Sequence, residues 1–135
     1  MKPVKTIITL VAVSLFMSSL QAHHIESDDL DIDSRTSLEG KIVDVEWINP
    51  HVIIHIEVLN DYGVKQLWLV QADTPNSLLR SGLNRQSFSA QRNVILDVYP
   101  SVSTNCAVTC LSYGISITFK DNRTLPLSRL NDISI

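Results

Sequence analysis

The sequence predicts an all-β fold in the form of a small barrel with one short helix. Apolar and polar residues alternate at period two in several short stretches, turn residues separate these stretches, and only one stretch carries helix-capping signals. Five short strands and one helix favour a partly open five-stranded barrel of the oligonucleotide/oligosaccharide-binding (OB) type. A small sandwich of two sheets is the alternative.

The first three predicted strands follow one another closely. Residues 38–47 alternate apolar with charged side chains, and the Asn49-Pro50 dipeptide ends this stretch. Residues 51–59 alternate in the same way, and a turn-forming segment at 60–63 connects them to a third strand at 65–72. We therefore expect an antiparallel hairpin within the second half of this region.

The one predicted helix covers residues 74–82. Thr74 supplies the N-cap, Pro75 the first helical position, and Gly82 the residue beyond the last turn. Two more strands are predicted at 94–99 and 115–119. These elements share one hydrophobic core, so residues 37–135 form a single predicted β-barrel domain.

The first 22 residues have the pattern of a signal peptide. Lys2 and Lys5 precede an apolar stretch at 7–20, and Leu20-Gln21-Ala22 forms the predicted cleavage site. The apolar stretch, about 14 residues long, is shorter than the ~20 residues that cross a bilayer, so we expect no stable membrane anchor after cleavage. The predicted mature protein is periplasmic or secreted, and begins with an acidic arm at 23–36.

The charge of the chain excludes one class of partner. Two of the 11 basic residues and none of the 14 acidic residues lie in the signal peptide, so the remaining chain has a formal charge of −5. An acidic surface repels phosphates, and nucleic acid is therefore not an expected partner. The acidic arm is interpreted as a solvated segment, and a role in attracting cations is the alternative.

The two cysteines, Cys106 and Cys110, are close in sequence. In an exported protein such a pair predicts a disulfide. The bond requires Cα atoms about 4.4–6.8 Å apart, which a turn supplies and an extended strand does not. We therefore expect a turn at this pair, and thiolate binding of copper(I) is the alternative.

Separate motifs along the chain together resemble a known family. They are the predicted mature start His23-His24, Leu38-x-Gly40, Trp47-Ile48-Asn49-Pro50-His51, Trp68, and Pro75-Asn76-x-Leu78-Leu79-Arg80-x-Gly82. In these residues the chain resembles a family of small exported bacterial proteins whose domain is of unknown function. The resemblance implies export and implies no activity, because the family has none assigned.

The histidines suggest a metal site at the predicted mature amino terminus. Cleavage after Ala22 gives His23 a free amine, and an amine beside an imidazole chelates metal ions. His51 and His55 lie about 13 Å apart along one predicted strand face, whereas a transition metal holds imidazole nitrogens at about 2 Å. They cannot share an ion, and His51, at the strand start, is better placed to meet the amino terminus.

The predicted ligand set is the amine and ring of His23 with the ring of His51. Three nitrogen donors suit copper(II), so copper is the expected metal. This arrangement, in which an amino-terminal histidine binds through its amine and its ring together with a second histidine, is a histidine brace. His24 is an alternative third ligand or a neighbour of the ligands. The competing interpretation makes His51 a turn-stabilising residue and His23-His24 a solvated chain end.

Two function classes follow from these patterns. The first is copper handling in the periplasm; the second is a periplasmic ligand- or protein-binding adaptor module without a metal, using the barrel surface near Trp68 and the helix. Enzymatic activity has the least support, because the sequence contains no Ser-His-Asp context, no Glu-His metalloprotease motif and no phosphate-binding loop. We assign no catalytic residue.

Overall fold

The computed structural model describes residues 29–102, 106 and 109–129. The elements in chain order are β1 Thr36–Glu46, β2 Ile53–Leu59, β3 Lys65–Gln71, α1 Pro75–Arg80, a 3-10 helix at Arg85–Phe88, β4 Asn93–Pro100, β5 Thr109–Thr118 and β6 Thr124–Pro126. The predicted signal peptide at 1–22 and the first part of the predicted arm, 23–28, lie outside the described residues.

Five strands close into a barrel in the order β1-β2-β3-β5-β4. β1 pairs antiparallel with β2 and with β4, β2 with β3, and β4 with β5. The ring is completed by the parallel pair of β3 and β5, in which Leu67 lies opposite Thr109 and Gln71 opposite Tyr113. The predicted OB-type barrel with one short helix is confirmed, and its ring is closed rather than partly open.

At Gly40, β1 is paired with a strand on each of its two edges. It pairs with Val58 on β2 and with Val94 on β4. A Cβ atom at this position would collide with the backbone oxygen of Glu57. Glycine therefore allows the close strand approach that coils β1 around the barrel.

Alternating side chains fill the barrel interior, and helices close one end. Inward-facing residues such as Ile42, Ile54 and Leu96 are fully buried. Leu78 of α1 and Phe88 of the 3-10 helix are 1% exposed and belong to the same core. The packed interior leaves the outer surface and the loops as the places where function can lie.

The predicted helix is confirmed between its predicted caps. Ser77 N–H donates to the Thr74 hydroxyl at 3.2 Å, and Pro75 occupies the first turn. The helix itself ends at Arg80, and Gly82 takes a φ of +87° just beyond it. The capping signals therefore determined both ends of the helix.

The carboxyl-terminal strands differ from the prediction. β5 begins at Thr109, six residues before the predicted start at residue 115, and β6 and the 3-10 helix were not predicted. β6 pairs with the part of β5 that lies beyond the end of β3, opposite Ser116–Thr118. It thus occupies the edge that β3 leaves when the chain turns into α1.

The predicted disulfide between Cys106 and Cys110 is confirmed, with the Cα atoms 4.6 Å apart. The prediction that both cysteines lie in a turn is wrong for Cys110, which is the second residue of β5 and is 1% exposed. Cys106 lies in a turn and its backbone oxygen accepts a hydrogen bond from Gln66 Nε2 at 3.1 Å. The bond therefore ties a turn to the start of a core strand.

The chain before β1 is hydrogen-bonded to the end of β4. Leu30 forms an antiparallel bridge with Ser101, and Asp31 N–H donates to the Pro100 oxygen at 3.0 Å. Asp29 oxygen accepts from Val102 N–H at 2.8 Å. Among the described residues, no helix has the length and apolar composition to cross a membrane.

Candidate functional site

Polar groups converge where β2 begins and β3 ends, around Ala72 and Asp73. Val52 exchanges two backbone hydrogen bonds with these residues, from Val52 N–H to Asp73 and from Ala72 N–H to Val52. Asp73 N–H also donates to the Leu127 oxygen at 2.8 Å, just after β6. The 72–73 segment therefore connects three parts of the chain that are distant in sequence.

His51 lies beside this segment and not on a strand. β2 starts two residues later, at Ile53, so the prediction that the strand begins at His51 is wrong. His51 Nδ1 lies 3.2 Å from the Ala72 oxygen, and since a carbonyl only accepts, Nδ1 is the donor. A neutral ring in this tautomer carries its lone pair on Nε2, the arrangement in which a histidine binds a metal.

His55 lies apart from His51, in the middle of β2. Its Nε2 is 2.7 Å from Glu46 Oε1 on the neighbouring strand β1. The two histidines point to different partners, as expected from their separation along the chain. No group of three or more His, Cys, Asp or Glu side chains within the described residues could hold a metal ion. The predicted ligands His23 and His24 lie outside those residues.

Asp73 is held by a set of donors. Ser77 Oγ donates to Oδ2 at 2.6 Å, and Thr74 N–H donates to Oδ1 at 2.8 Å. Arg129 Nε lies 3.6 Å from Oδ2, and its Nη2 lies 3.4 Å from Ser77 Oγ. Both carboxylate oxygens thus have a donor, and the side chain is fixed against the start of α1.

Tyr113 on β5 is a further polar residue at this end of the barrel. Burial raises the pKa of its hydroxyl, and the charge of Asp73 raises that pKa further. Sequence reasoning missed Asp73, Ser77, Tyr113 and Arg129. Asp73 precedes the cap residue Thr74, which is a local signal, whereas Arg129 lies 52 residues from Ser77 and has no local signal.

Both tryptophans are partly buried and pack against the core. Trp47 packs against Phe88 with ring centroids 5.9 Å apart. Trp68 lies opposite Ile56 on β2 and Cys110 on β5, so its ring faces the interior with those buried residues. Trp68 therefore does not form the outer binding surface considered for an adaptor module.

The sequence comparisons identify a family but no function. A family model described as "Family of unknown function (DUF6152)" matches residues 10–109 of the 135 residues. No curated protein and no solved structure gives a significant match. The match confirms the resemblance predicted from the motifs at the level of an uncharacterised family. Since it spans well over half of the sequence, the chain belongs to the family of unknown function DUF6152.

Proposed function

We propose that this chain is an exported copper-binding protein, in which His51 and the amine and ring of His23 hold one copper ion. The observation that carries the proposal is the bond from His51 Nδ1 to the Ala72 oxygen. Metal-binding histidines commonly donate their second ring nitrogen to a backbone carbonyl, which fixes the ring and its tautomer. His51 has a backbone carbonyl as this partner, and His55 has the Glu46 carboxylate, which can serve in the same way. The choice of His51 therefore rests on its position in the segment before β2, outside the strand.

The length of the amino-terminal segment is compatible with this ligand set. A row of paired residues crosses the sheet from Leu30 to Ser101, then to Leu111 and Leu69. Ala72 lies three residues beyond Leu69. Strand spacings place Leu30 about 17 Å from Ala72 along the sheet. His23 lies seven positions before Leu30, and a stretch of this length reaches at most about 25 Å when extended.

The path of the chain sets a condition for the site. Asp29 lies beside Val102, which follows the end of β4, so the chain traced backwards from Leu30 heads away from His51. The proposed ligand set therefore requires the chain to reverse between His23 and Asp29. If copper binds through His51, adding copper should change the signals of residues near His51 and of residues before Asp29.

Copper titration of two amino-terminal forms tests the proposal. One form begins at His23, and the matched control carries one additional Ala before His23, which moves the free amine away from the ring. We expect a one-to-one copper(II) site with nitrogen hyperfine structure in the electron paramagnetic resonance spectrum of the first form. The extra Ala should weaken it by about tenfold or more, or 1.4 kcal/mol. Equal affinity in both forms contradicts the proposal.

A second candidate function is a periplasmic ligand- or protein-binding module without a metal. The observation that favours it is a row of apolar side chains on the outer face of β3 and β5, formed by Leu67, Leu69, Leu111 and Tyr113, all half-buried. In OB barrels the face formed by strands 2 and 3 binds oligosaccharides, and the row described here shares β3 with that face. Thermal unfolding separates the candidates, because a copper site in the folded state raises the midpoint with added copper and an outer-face module shows no change.

A further inference from the structure

A cavity of about 480 Å³ opens beside α1, away from the barrel interior. It lies between the last turn of α1 and the chain that follows β6. Its polar lining consists of Asp73, Ser77, Arg80, Ser81, Ser128 and Arg129. Two arginines and one aspartate therefore line the same space, which gives the lining a net positive charge.

The one negative charge in the lining is already compensated. Asp73 accepts hydrogen bonds from Ser77 and Thr74 and lies 3.6 Å from Arg129 Nε. Arg80 forms no ion pair with any carboxylate of residues 29–102, 106 and 109–129. Arg80 is exposed at the edge of the cavity, so its charge is available to a ligand from solution.

Ser128 adds an independent observation. The residue is 5% exposed, and its buried Oγ has no hydrogen-bond partner within the described structure. An unpaired buried hydroxyl is costly, and an acceptor in the adjacent cavity would relieve that cost after rotation of the side chain about χ1. The lining therefore offers a donor as well as positive charge.

We propose that this cavity binds a small oxyanion, a carboxylate or phosphate group, through Arg80, Arg129 and the Ser128 hydroxyl. Planar guanidinium groups match the paired oxygens of these anions. Asp73 and Ser77 contact Arg129 through its Nε and Nη2 atoms, and Arg129 lines the cavity. This site does not depend on copper or on His23.

Chemical-shift titration of the metal-free protein with inorganic phosphate and, separately, with acetate tests the site, at constant ionic strength set with chloride. We expect saturable shifts in the backbone amides of residues 77–81 and 128–129 with at least one anion. Arg80→Gln should weaken binding about tenfold, because a hydrogen bond to a charged group is lost. Ser128→Ala should weaken it severalfold.

Arg85→Gln is the matched control, since Arg85 is an exposed arginine on the 3-10 helix outside the cavity. It should bind the anion as the unchanged protein does. Arg80 is also exposed, so its replacement leaves the fold intact and a dispersed spectrum verifies this. Shifts that do not saturate with either anion, or equal affinity in Arg80→Gln, overturn the proposal.

Discussion

The carboxylate of Asp73, between β3 and α1, raises the pKa of the Tyr113 hydroxyl on β5. Burial raises the pKa of Tyr113 and the negative charge of Asp73 adds to that shift. The Asp73 charge and the Tyr113 hydroxyl are therefore coupled electrostatically, although the two residues are far apart in sequence.

Removal of the Asp73 charge should lower the pKa of Tyr113. We expect Asp73→Asn to move the pKa toward its ordinary value without reaching it, because burial remains the larger cause. Ultraviolet titration of tyrosinate, with Tyr113→Phe to assign the signal, measures this. Asp121→Asn, in the distant turn before β6, is the control. An unchanged pKa in Asp73→Asn would show that the charge has no effect at Tyr113.

Asp97 should contribute to stability at neutral pH and lose that contribution in acid. Ser37 donates to its carboxylate and is the main reason why its pKa is lowered, and Arg35 and Ser116 donate as well. A lowered folded-state pKa stabilises the protein above the unfolded value of about 3.9 and loses effect as pH falls below it. Asp97→Asn should cost about 1–2 kcal/mol at neutral pH.

Urea unfolding at neutral and acid pH measures the Asp97 effect. The free energy of unfolding of Asp97→Asn should fall less steeply in acid than that of the unchanged protein. Asp61→Asn, in the exposed turn between β2 and β3, is the control and should change little. If the free energy of unfolding falls equally steeply in acid for Asp97→Asn and for the unchanged protein, Asp97 does not contribute to the pH dependence of stability.

Gly40→Ala should destabilise the barrel. The added Cβ meets the Glu57 backbone oxygen and lies 3.0 Å from Val58 Cγ2. Because β1 is paired on both sides there, the backbone has little freedom to move, and we expect a loss of about 1–3 kcal/mol. Glu39→Ala, at the exposed neighbouring position, should stay within about 0.5 kcal/mol. Equal midpoints in urea for both variants would show that the strands can separate at Gly40.

The disulfide should add modestly to stability, because it closes a short loop. Three residues separate Cys106 from Cys110, and the chain-entropy relation gives about 2 kcal/mol for such a loop. Cys106→Ala with Cys110→Ala should lower the free energy of unfolding by this amount. The unchanged protein with reductant is the control, and its free energy of unfolding should approach that of the double variant. Identical stability with and without the bond would contradict the expectation.

Local sequence signals predicted the elements whose causes are local. Period-two alternation located β1 to β4, and Thr74, Pro75 and Gly82 located α1. The start of β5 was missed because the cysteine pair at 106 and 110 is typical of a turn. The three-residue strand β6 is too short for a periodic pattern, and it is held by its pairing with β5.

The candidate site could be predicted only in part. His51 was identified from its place after Asn49-Pro50, but its bond to Ala72 joins residues 21 apart and depends on the hairpin register. The pairing of Asp73 with Arg129 depends on the ring closure between β3 and β5, which brings the end of the chain to α1. Such long-range contacts follow from packing and have no local sequence signal.

The most direct test of the proposed copper site compares two histidine variants of the protein that begins at His23. His51→Gln should weaken copper binding about a hundredfold or more. Loss of a residue that only hydrogen-bonds to a metal ligand costs about tenfold to a hundredfold, and loss of the ligand itself should cost at least as much. His55→Gln, which removes the histidine bonded to Glu46, should bind copper as the unchanged protein does. Equal copper affinity in His51→Gln and His55→Gln would contradict the role assigned to His51.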